Sequence, residues 1–150
     1  MSIPDQPAPA EAPHRWQPQK ADVLAALADD IAHNYGNGRA SVGIAAASAE
    51  AGAAFADDLA AAIAATGRAV YRASIVGGDI PERDDSTADS LLIASGAEVG
   101  SLAVSGHWNY TVWLDDRNDA RRDRDARAAA SALIDNTDAE HPRRVFADSC

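Results

Sequence analysis

Residues 41–63, SVGIAAASAEAGAAFADDLAAAI, change their period part-way along. An apolar run gives way to small residues, after which Phe55, Leu59 and Ile63 recur every four positions and so share one stripe of a helix. A strand that feeds a helix through a short loop buries itself in a sheet and lays the helix on the sheet's face. The same alternation continues on either side. Val23, Leu24, Leu27 and Ile31 predict a helix from Ala21, stopped by NYGNG, whose Asn and Gly accept the backbone of a helix end. Residues 68–76, 90–95, 108–115 and 131–135 read as strands, and the stretch DRNDARRDRDARAAA before the last of them as helix. SLLIAS at 90–95 lacks polar alternation, as a parallel strand covered on both faces requires. The expected fold is a reduced three-layer α/β/α domain with a mainly parallel sheet of about five strands. The connections after Val76 and Ile93 are short for parallel crossovers, which need a dozen or more residues.

The chain has 150 residues, enough for one core, but alanine dominates its 47% hydrophobic fraction. Each buried alanine removes far less apolar area from water than a leucine, so modest stability is expected, with oligomerisation as one remedy. Residues 1–20 are rich in Pro and Ala and are expected to form a disordered tail ahead of a domain at 21–150. The formal net charge of −10 argues against nucleic acid and anionic membranes as partners, since both demand a basic face. The opening residues lack a basic and an apolar region of the secretory type, and no run approaches the ~20 apolar residues of a membrane span. The one cysteine, Cys150, cannot form an intrachain disulfide. A cytoplasmic setting is the simplest expectation.

Strand, loop and helix are the context of a phosphate-binding loop, G-x-x-x-x-G-K-[ST], in which glycines let amides curl round phosphate, lysine supplies the cation and the hydroxyl holds magnesium. The corresponding positions here are Ala46, Ala51, Gly52 and Ala53. None carries those groups. Even so, VLAALADDIA, RASVGIAAASAEAGAAFADDLAAAIAATGRAVYRASI, HWNYTVWLD and ALIDNTDAEHPRRV together resemble the bacterial uridine-kinase-like nucleoside kinases, from about Ala21 to Val145 with interruptions. The resemblance implies a P-loop-kinase-like fold. It also implies that Gly52 and Ala53 stand where the family has lysine and Ser/Thr, Val76 and Gly77 where it has an acidic pair, and Ala94 where it has a metal-supporting aspartate. The substrate insertion and the arginine-bearing lid are missing, with Arg121, Arg122 and Arg124 as the only stand-ins for lid arginines. IDNTD resembles a segment near the nucleotide base, so Asn136 and Thr137 are candidates for a vestigial base pocket. Asp115 falls at the carboxyl edge of the sheet, where α/β proteins place ligands, or else caps the next helix.

Phosphoryl transfer depends on positioning and electrostatic stabilisation, so losing lysine, base and metal ligand together removes the means of catalysis. Alanine in place of glycine adds about 1–2 kcal/mol against left-handed backbone. Glu50 places a negative charge beside any phosphate. The expectation is a pseudoenzyme: a non-catalytic relative that binds a protein partner, its own copy or a small anionic ligand, with no cofactor. One alternative is a divergent ATP- and magnesium-dependent kinase using Asp79, Asp115 and the arginines from Arg121 to Arg124. Another is a decayed frame without selected function. His14, His33, His107 and His141 fall at no metal-ligating spacing, and Ser48 and Ser95 lack a nucleophile-elbow context. Trp16, Trp108 and Trp113 are left between core and interface.

Overall fold

The computed structural model describes residues 16–36, 38–75, 90–96, 99, 108–116 and 124–145. The elements run α1 (Pro18–Asn34), β1 (Ala40–Ala46), α2 (Ala49–Ala64), β2 (Val70–Ser74), β3 (Leu91–Ser95), β4 (Tyr110–Asp115), α3 (Arg124–Ala129), β5 (Ala132–Asp135) and β6 (Arg143–Val145). The fold is α/β, with one six-stranded sheet in the order β2-β3-β1-β4-β5-β6. Every pair is parallel except β5 with β6. Both short connections therefore do return parallel strands. The sixth strand corrects the expected count of about five: β6 is three residues, Arg-Arg-Val, held by antiparallel pairing of Asp135 with Arg143 and Leu133 with Val145. So short and basic a segment carries no strand signal of its own.

Period-two alternation divides the strand side chains between two cores. On one face Val42, Ile44, Leu91, Ile93, Val112, Leu114 and Ile134 meet Leu24, Leu27 and Ile31 of α1 and Phe55, Leu59 and Ile63 of α2. On the other, Ala45, Leu92 and Ala94 meet Ile75, Val99 and Trp108. All five residues of β3 are buried, as a strand covered on both faces should be. Gly43 on β1 makes room for the second core. A Cβ there would lie 2.8 Å from the Trp108 indole and 2.9 Å from Val99. The indole is buried, and its Nε1–H donates to the Val99 carbonyl at 3.1 Å.

The first helix also starts earlier than expected. α1 begins at Pro18, whose fixed φ suits the first helical turn, rather than at Ala21. Residues 18–20 are thus helical. Trp16 packs on the first core, Gln19 Nε2 donates to the carbonyls of His141 and Pro142 at 3.3 and 3.1 Å, and Lys20 pairs with Asp58 at 2.7 Å.

Tyr110 ties three elements together. Its hydroxyl donates to Asp30 Oδ2 at 3.2 Å, and Arg144 of β6 donates to the same oxygen at 2.8 Å. Burial, with the Asp30 carboxylate adding to it and Arg144 opposing, pushes the phenol up from its ordinary 10.0 to about 12. A raised acid favours the protonated fold. Its contribution is complete below pH ~10 and is lost as pH climbs through about 12. The difference in phenolate absorbance between the wild-type chain and Tyr110→Phe should therefore show a step near pH 12. A step near 10 would contradict the burial of this hydroxyl.

Candidate functional site

The carboxyl ends of β1, β4 and β5 enclose a cleft of about 320 Å³, lined by Ala46, Ala47, Ser48, Ala51, Leu114, Asp115, Asp116 and Asn136. Its place follows from the topology. The chain leaves β1 toward β2 on one side of the sheet and leaves β4 toward β5 on the other, and such a switch point opens a crevice at the strand ends.

The β1 wall differs from the loop that the sequence suggested. Only Ala47 and Ser48 separate β1 from α2, because the helix begins at Ala49. Ser48 is extended, with φ −100° and ψ 125°, and caps the helix: its Oγ accepts the Ala51 amide at 3.2 Å and its carbonyl accepts the Gly52 amide at 3.0 Å. Glu50 lies in the first turn, where a carboxylate suits the helix dipole. Among the described residues, only glycines (Gly38, Gly67 and Gly96) have positive φ. A phosphate-cradling curl is not formed between β1 and α2. Ala46 closes the strand, while Ala51, Gly52 and Ala53 occupy helical positions.

Gly52 is buried, and a Cβ there would sit 3.4 Å from Ala46 Cβ, an ordinary contact. Gly52→Ala is accordingly expected to stabilise the domain by roughly 0.5–1 kcal/mol through helix propensity, read as a higher urea midpoint. A loss would mean that the glycine serves a backbone conformation other than helix.

The opposite wall is acidic. Ala46 pairs with Leu114, which sets Asp115 just beyond the end of β1. Asp115 is held on two sides. Trp113 Nε1–H donates to Oδ1 at 2.6 Å, and Arg127 of α3 donates to Oδ2 through Nε at 3.1 Å and Nη2 at 3.0 Å. The Asp115 carbonyl accepts the Asn136 amide at 2.7 Å, which draws Asn136 to the cleft. Thr137 donates its amide to Asp135 Oδ1 at 3.1 Å and does not line the cleft. Asp115 is thus an ion-paired residue of the cleft.

Of the residues singled out from the sequence, Ala46, Ala51, Asp115 and Asn136 line one cavity, whereas Gly52, Ala53 and Thr137 do not line it. Ala53 turns its carbonyl to Arg72 at 3.3 Å. Arg121, Arg122, Val76, Gly77, Asp79, His14, His107 and Cys150 lie outside the described residues. Ala94 is fully buried in the second core, and neighbouring Ser95 accepts from Arg72 at 2.8 Å. Trp108 and Tyr110 are core residues, and Trp113 is partly buried against the second core.

Sequence reasoning missed Arg127 and Asp116 and gave Ser48 no role as a cap. A serine just before a helical stripe with an acid two residues on was a usable signal for the cap. An ion pair across a β-α-β crossover has no spacing rule, so Arg127 offered none. No group of three or more metal-ligating side chains occurs among the described residues, and no helix among them is long and apolar enough to cross a membrane. No family model, no curated protein and no solved structure matches the chain.

Proposed function

We propose that this domain is a non-catalytic binding module on a reduced nucleoside-kinase-like framework, with the cleft at the ends of β1, β4 and β5 as its ligand site. The framework part rests on the resemblance in sequence, together with a parallel sheet in which β1 runs directly into α2. One observation carries the functional part: among the described residues, the lining contains two carboxylates, Asp115 and Asp116, and no lysine, arginine or histidine. The guanidinium of Arg127 is engaged by Asp115.

From its described residues such a lining supplies none of the cationic stabilisation that phosphoryl transfer needs. It also weighs against the small anionic ligand expected from the sequence. About 320 Å³ is at the small end of ligand cavities. Apolar walls from Ala46, Ala47, Ala51 and Leu114 beside the polar Ser48 and Asn136 suit a small uncharged polar molecule.

The test is a thermal-shift series with uridine, ribose, inorganic phosphate and ATP, each with and without magnesium. Stabilisation grows as RT ln(1 + [L]/Kd), about 2.7 kcal/mol at a hundredfold excess over Kd. Uridine or ribose should raise the melting temperature, while phosphate and MgATP leave it unchanged. A shift with MgATP overturns the reading of the lining, and nucleoside-dependent ATP consumption abolished by Asp115→Asn overturns the non-catalytic reading. A series flat for all four probes removes the cleft as the ligand site.

A further inference from the structure

We draw no further inference here: the strongest candidate, the Asp115–Asp116 pair facing the start of α2 across the cleft, belongs to the site already described and is an acidic cluster beside a helix N-terminus with no second observation pointing to a ligand.

Discussion

Truncating Leu59 to alanine is expected to cost about 2–5 kcal/mol, which is the range for deleting a buried leucine side chain and leaving part of its volume empty. Leu59 is fully buried on α2, in the middle of the Phe55, Leu59, Ile63 stripe that seats the helix on the sheet. The cluster it belongs to includes Ala28, Ala40, Ala56, Ala62 and Ala132. Alanines have no longer side chain to swing into a void, so the cavity should collapse little and the cost should fall in the upper half of that range. Against a typical total of 5–15 kcal/mol this is a large fraction. At roughly 2–4 °C per kcal/mol for a chain of this size, the melting temperature should fall by about 7–20 °C. Calorimetry on Leu59→Ala beside Ala64→Ser, an exposed site at the end of the same helix, separates packing from propensity. A fall of under about 1 kcal/mol for Leu59→Ala would mean that α2 is not packed on the sheet as described.

The same stripe shows what the sequence makes legible. Phe55, Leu59 and Ile63 announce α2, and the unbroken apolar run Leu91, Leu92, Ile93, Ala94 announces a strand covered on both faces, because each pattern is imposed by the environment its residues must meet. Boundaries are harder, since they depend on single groups. α2 starts at Ala49, well ahead of its apolar stripe, because the Ser48 hydroxyl receives an amide that would otherwise lack a partner in the first turn. β6 was invisible because Arg143 and Arg144 carry no apolar pattern and the strand exists only through its pairing with β5.

The candidate site divides along the same line. Ala46, Asp115 and Asn136 come together because each ends, or follows, one of three adjacent parallel strands, and strand ends are readable from where apolar runs stop. Thr137 is one residue from Asn136 but is turned away by the carboxylate of Asp135. What orients Asp115 was not readable, because Trp113 and Arg127 reach it from different elements and only the folded chain brings them within hydrogen-bonding distance.

Gly96→Ala should be at least as damaging as the loss of Leu59, for a reason located in the backbone. Gly96 follows the last residue of β3 with φ +149°, a conformation that L side chains rarely adopt, and holding one in sparsely populated backbone costs of order 1–3 kcal/mol. Space is also lacking. A Cβ at this position would lie 2.5 Å from the Ile75 carbonyl oxygen and 3.2 Å from its amide nitrogen, and neither backbone atom has a rotamer through which to retreat. Relief would require Ile75 to move. Its amide donates to the Ser95 carbonyl at 2.7 Å, continuing the β2–β3 pairing, and its side chain is buried in the second core. The strain should therefore spread into the β2–β3 ladder and into the contacts of Leu92, Ala94 and Val99. Amide hydrogen exchange of Gly96→Ala is expected to show faster exchange at Ile75 and along Val70–Ser74, with β4 and β5 less affected, alongside a lower urea midpoint. An unchanged midpoint with native protection at Ile75 would show that residue 96 accepts a side chain, and that the close approach of β2 to the end of β3 is not as described.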